Sequence, residues 1–131
     1  MTDPELVRAY HGYIDCLNAQ DWPGLDRFVH PDVAHDGKPL GLSGYRKMLQ
    51  ADYRAVPDLH FNIVQLVTKA PQIACRLRFD CTPSGTVFGL PVNGRRVRFE
   101  EHVFYTCDAG LIRDVRSIID TEAIKAQITR T

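Results

Sequence analysis

Neither sign of charge is in excess in this chain of 131 residues, with 16 Lys and Arg against 16 Asp and Glu, and the pI lies near 6.9. That balance leaves no net field to attract nucleic acid, and no basic block interleaved with aromatics appears. Long apolar runs are also missing, so nothing in the sequence is expected to span a membrane. The four cysteines, Cys16, Cys75, Cys81 and Cys107, lack the paired spacing of a zinc site or disulfide framework. His30 and His35 flank a proline five residues apart, a poor arrangement for a metal. No glycine-rich phosphate loop, nucleophile motif, repeat or low-complexity linker occurs. Nothing calls for a cofactor. Met1 to Glu5 reads as a helix start and not as a leader peptide. The expectation is one cytoplasmic domain spanning 1–131 with reduced thiols.

Periodicity supplies the elements. Asp3 with Pro4, or a capping box of Thr2 and Glu5, starts a helix carrying Leu6, Val7, Tyr10, Ile14 and Leu17 on one side. Asp21 caps a short second helix, and Val33 to His35 reads as a short strand. Ser43 caps a third helix, in which Tyr45, Met48, Leu49 and Tyr53 form the apolar side and Pro57 is the stop. Strands follow at about 59–68, 72–82, 85–88, 94–106 and 111–120, before a short helix at about 121–129. Helices followed by a run of antiparallel strands imply an α+β fold, with helices packed on one face of a sheet.

The last two strands form a hairpin around Cys107-Asp108-Ala109-Gly110. A three-residue loop with Gly110 in the left-handed region would pair residues of equal parity. Arg98, Glu100, His102, Phe104, Ile112, Asp114, Arg116, Ile118 and Asp120 then share one face. Val97, Phe99, Glu101, Val103, Tyr105, Val115 and Ile119 share the other. Because the even face mixes Phe104, Ile112 and Ile118 with charges, it is read here as a pocket wall. A two-residue loop would change which faces meet. On this reading the apolar odd face is left to water, and a homodimer pairing sheet on sheet is expected to cover it.

The chain resembles SnoaL-like polyketide cyclases of the nuclear transport factor 2-like superfamily. The resemblance rests on His35 after a short strand, Gly41-x-x-Gly44 at a helix start and Phe88-Gly89-Leu90-Pro91-x-x-Gly94. It rests also on Asp108 to Ile112 leading to Asp120 and a closing helix. It implies a cone-shaped α+β barrel, three N-terminal helices on a curved, mostly antiparallel sheet, and a deep small-molecule pocket. It further implies cofactor-free acid/base chemistry, nearest to aldol cyclisation of a small apolar carbonyl compound. A ketosteroid isomerase-like activity or a non-catalytic binding pocket are the alternatives.

In the cyclases it resembles, an aspartate placed like Asp120 is the acid/base. The competing reading is that Asp120 caps the helix that follows. His35 matches a pocket histidine of the family, or bonds local backbone. His102 shares the even face and could polarise a carbonyl, or pair with Arg116 or Glu100. Arg116 replaces a frequent aromatic and could bind a substrate carboxylate beside Glu100. Phe104, Ile118, Tyr53, Trp22, Phe88 and Met48 complete the expected lining, although aromatics at helical spacing also serve as core.

Overall fold

Thr2 opens the first helix, α1 (Asp3–Asn18), by accepting a bond from the Glu5 amide at 3.3 Å while its hydroxyl donates to the Glu5 carboxylate at 3.0 Å. Thr2, and not Asp3, is therefore the N-cap; the Asp3 carboxylate instead accepts from the Ala70 amide at 2.7 Å. This geometry comes from a computed structural model, which describes residues 1–129.

After α1 the chain makes a 3-10 helix, Trp22–Arg27, capped by Asp21. Two α-helices, not three, thus precede the main strands; Pro23 and Gly24 sit in the segment that stays 3-10. Strand β1 (Val29–His35) is longer than expected because the chain continues in extended form through Pro31. Pro31 lies where the pairing of β1 is interrupted, on an edge strand, where a missing amide is tolerated. Helix α2 (Gly41–Ala55) begins before Ser43 and has no side-chain cap.

Strands β2 (Asn62–Lys69), β3 (Gln72–Cys81), β6 (Val97–Asp108) and β7 (Leu111–Ile119) join β1 in a five-stranded mixed sheet of order β1-β7-β6-β3-β2. β1 runs parallel to β7 and the remaining pairs are antiparallel. The sheet is open, with β1 and β2 at its edges, so it is not a closed barrel. A small hairpin of β4 (Thr86–Val87) and β5 (Leu90–Pro91) stands apart, and α3 (Thr121–Ile128) follows β7.

The β6–β7 hairpin turns through Ala109 and Gly110, both with positive φ (52° and 80°) as a type I′ turn requires. Asp108 pairs with Leu111 and Cys107 with Ile112, and then the register shifts so that Thr106 meets Asp114. Arg113 is the extra residue of a bulge. From there Phe104 faces Arg116 and His102 faces Ile118, so equal parity holds in the body of the hairpin although the loop is one residue shorter than expected. Ile112 lies beyond the bulge, which turns it to the opposite side from the other even residues.

The two faces are reversed relative to expectation. Val97, Phe99, Val103, Tyr105 and Val115 are buried, together with Ile112, beneath α1 and α2. Phe104 is 63% and Ile118 77% exposed on the even face. Charge decides the orientation. Arg76 and Arg78 pair with Glu100, and Arg96 and Arg98 pair with Asp80, all on the even side of β3 and β6. Turning that network inward would desolvate six charges to bury two apolar side chains, Phe104 and Ile118. The odd face therefore forms the core and is not available to a second copy.

Candidate active site

Helix α2 aims Tyr45, Met48 and Leu49 at the sheet, and the same three- and four-residue spacing places Asp52 within that stripe. From the sheet, Glu101 is flanked on its own face by Phe99 and Val103. Both carboxyls border a cavity between α2 and the odd face of the sheet. Its inner part has a volume of about 150 Å³ and reaches Tyr13, Tyr45 and His35. Its outer part, about 80 Å³, runs under Phe88 and over Phe79 and Phe99. Asp52, Phe61, Phe88, Glu101 and Ile119 line both parts, which therefore adjoin along shared walls.

The electrostatics follow from this setting. Burial pushes the Glu101 carboxyl up to about 7; a hydrogen bond from the Ser117 hydroxyl opposes the shift, while the charges of Asp52 and Asp36 add to it. Burial also lifts Asp52 to about 6. Asp52 is an exposed residue at the cavity mouth, where it lines both parts of the cavity. Its position in the last turn of α2, at the negative end of the helix dipole, further disfavours the anion.

His35 closes the inner end. It is the last residue of β1, with its Nδ1 3.7 Å from the Asp36 carboxylate and its ring 6.3 Å from that of Tyr45. Asp36 is held in a left-handed conformation (φ 47°). Its amide donates to the Val115 carbonyl at 2.8 Å and its carboxylate accepts from the Ser117 amide at 2.9 Å. Behind His35, the Tyr13 and Tyr45 hydroxyls lie 2.6 Å apart, and those of Tyr10 and Tyr105 3.0 Å. Burial raises all four phenols, which keeps them neutral hydrogen-bonding groups.

Of the residues proposed from sequence, His35, Met48 and Phe88 line this cavity. Tyr53 is buried core, its hydroxyl donating to the Leu17 carbonyl at 2.6 Å, and Trp22 packs edge-on against it. Glu100, His102, Ile118 and Asp120 do come together, but in an open groove of about 400 Å³ on the outer face. There Asp120 caps α3, its carboxylate accepting from the Ala123 amide at 3.0 Å. Arg76 holds Glu100 below the usual carboxylate range. Phe104 and Arg116 are exposed on the same outer face, where Arg116 pairs with Asp114 at 3.2 Å.

Asp52 and Glu101 were missed, although each left a signal. Each is the charged residue in an otherwise apolar periodic set, Asp52 at helical spacing with Tyr45 and Leu49, Glu101 alternating with Phe99 and Val103. Among the described residues no group of three His, Cys, Asp or Glu could hold a metal ion.

The sequence profile of the SnoaL-like polyketide cyclase family matches residues 7–128. The chain belongs to that family. A SnoaL-like polyketide cyclase from Agrobacterium tumefaciens is 49% identical, with a TM-score of 0.93 over 94% of this chain and 97% of that one. TsrD from Streptomyces laurentii shares the fold at 21% identity, with a TM-score of 0.85 over 98% of both chains. IdmH from Streptomyces antibioticus does so at 20% identity, with a TM-score of 0.81 over 95% of this chain and 99% of that one. No curated protein matches. Like these relatives, this family member combines helices with a mixed sheet. Among its described residues no helix is long and apolar enough to cross a membrane.

Proposed function

We propose that this protein is a cofactor-free acid/base enzyme acting on a small apolar carbonyl compound, with Asp52 and Glu101 as its proton-transfer groups. The observation that carries the reading is the pair of carboxyls with raised pKa in one largely apolar cavity. Near neutral pH the lower of the two, Asp52, is the carboxylate and Glu101 retains much of its proton. One group can then act as base while the other acts as acid.

In an intramolecular aldol closure, Asp52 removes a proton from the carbon between two carbonyls while the protonated Glu101 donates a hydrogen bond to the carbonyl oxygen that becomes the enolate. The resulting enolate carbon attacks a second carbonyl, forming a carbon–carbon bond, and Glu101 protonates the oxygen that becomes the alkoxide. Asp52 gains the proton that Glu101 loses, and exchange with water restores the pair. His35 and Ser117 border the same space and orient carbonyl oxygens. Isomerisation of an enone would share the first step. Asp120 serves in this reading as the helix cap and not as the acid/base.

Hydrogen–deuterium exchange at the activated carbon of phenylacetone, followed by NMR, tests the first step without knowledge of the natural substrate. Enzyme-dependent exchange that is lost in Glu101→Gln and Asp52→Asn supports the assignment. Exchange at the wild-type rate in both variants overturns it.

We place the partner surface on the outer, even face. Val67, Ala74 and Phe104 form one cross-strand row there, with Ile118 beside it, and Val67 and Phe104 are both more than half exposed. A second copy of the chain, stacked sheet on sheet, would remove this apolar row from water. The compartment we assign is the cytoplasm, where the four unpaired thiols stay reduced.

A further inference from the structure

The cavity is small for a family defined by polyketide cyclases. We infer that its substrate is a neutral carbonyl compound of a single ring with a short side arm, and that Phe88 sets this limit. The inference rests on the proposed function in taking this cavity as the substrate site. Pockets that enclose drug-sized ligands have roughly 300–1,000 Å³. The inner part here, about 150 Å³, equals the size of an apolar cavity that takes up benzene. The outer part adds about 80 Å³ at most, since the two overlap along shared walls. One six-membered ring fills the inner space, and a carbonyl arm reaches the outer.

The walls resist enlargement. At the inner end the Tyr13 and Tyr45 hydroxyls are bonded to each other, and separating them would strand two buried polar groups. On the sheet side Phe61, Phe79 and Phe99 pack ring on ring at 5.2–5.3 Å between centroids. Phe88 closes the outer side, edge-on to Phe99 with centroids 6.0 Å apart. Its segment is fastened at both ends, by the Ser84 amide to the Ala55 carbonyl at 2.9 Å and the Gly94 amide to the Pro83 carbonyl at 2.8 Å. Phe88 itself is 45% exposed, so it covers the cavity without being part of the deep core.

Charge fixes the other half of the inference. Among the described residues lining either part there is no lysine or arginine, whereas Asp52 and Glu101 both face the space. An anionic ligand would meet two carboxyl groups, with the His35 imidazole as the one basic side chain among the described lining residues.

The test compares two neutral ketones, phenylacetone with one ring and anthrone with three, by calorimetric titration of the wild type, Phe88→Ala and Phe88→Leu. Phenylacetone is expected to bind the wild type at least about tenfold more tightly than anthrone, a difference of about 1.4 kcal/mol. Phe88→Ala should tighten anthrone by a similar factor, with Phe88→Leu intermediate. Anthrone binding the wild type as well as phenylacetone does overturns the inference, and so does a Phe88 series with no effect on anthrone. Failure of phenylacetone to bind at millimolar concentration overturns it too. Because binding is read separately from proton exchange, size selectivity without exchange would leave this inference standing and remove the proposed chemistry.

Discussion

Glu100 and Glu101 are neighbours in β6 whose carboxyls are shifted in opposite directions. Glu100 points outward, where Arg76 donates to its two oxygens at 3.0 and 3.1 Å and lowers its pKa. Glu101 points inward between Phe99 and Val103, where burial raises its pKa to about 7. Alternation along one strand thus turns two identical side chains into a surface ion-pair partner and a proton-transfer group.

This contrast gives a pH dependence with a definite sign. Folding raises the Glu101 carboxyl from an ordinary 4.5 to about 7. Between those values the folded state binds more protons than the unfolded one, so this group's contribution to stability falls as pH rises. It is unfavourable throughout the range above the folded value. The melting temperature of Glu101→Gln minus that of the wild type should therefore increase from about pH 4.5 to about pH 7 and then level off. A difference that stays constant across that range would show that Glu101 titrates normally.

The Asp120 assignment can be separated from its cap. Asp120→Ala should destabilise α3 by about 1 kcal/mol, typical of a lost N-cap, while proton exchange stays close to the wild-type rate. Asp120→Ser, which can still cap, should recover most of the stability. Loss of exchange in both variants with the fold intact would return Asp120 to the catalytic role that the family resemblance implies.

The sequence carried much of this architecture and less of the site. Thr2 with Glu5, the strands, the equal-parity hairpin and the capping alternative for Asp120 could all be read from local chemistry. Which hairpin face points inward could not, for two reasons. Ile112 counts as even in the sequence and adds to an apolar even face there, but the bulge at Arg113 turns it into the core. The ion pairs of Glu100 and Asp80 join β6 or its approach to β3, a pairing that no local pattern reveals. His35, Met48 and Phe88 survived the reversal because their placement does not depend on that hairpin. Asp52 and Glu101 became visible only when the odd face proved to be the inner one.

The outer face yields its own prediction. If a second copy covers the row through Val67 and Phe104, then Phe104→Glu with Ile118→Glu should give a monomer by sedimentation while the wild type sediments as a dimer at micromolar concentration. The double variant should keep its melting profile free of new transitions, since both side chains are exposed. A wild type that sediments as a monomer would remove this assignment.

The central claim is that Asp52 and Glu101 divide the work of base and acid. The pH profile of phenylacetone exchange tests it most directly. An ionised Asp52 requires pH above about 6 and a protonated Glu101 requires pH below about 7, so the wild-type rate should trace a narrow bell between those limits. Glu101→Gln should lower the maximum by about a hundredfold or more, the usual worth of a general acid or base, and should abolish the alkaline limb. A Glu101→Gln enzyme that keeps both the wild-type rate and the wild-type profile would contradict the account.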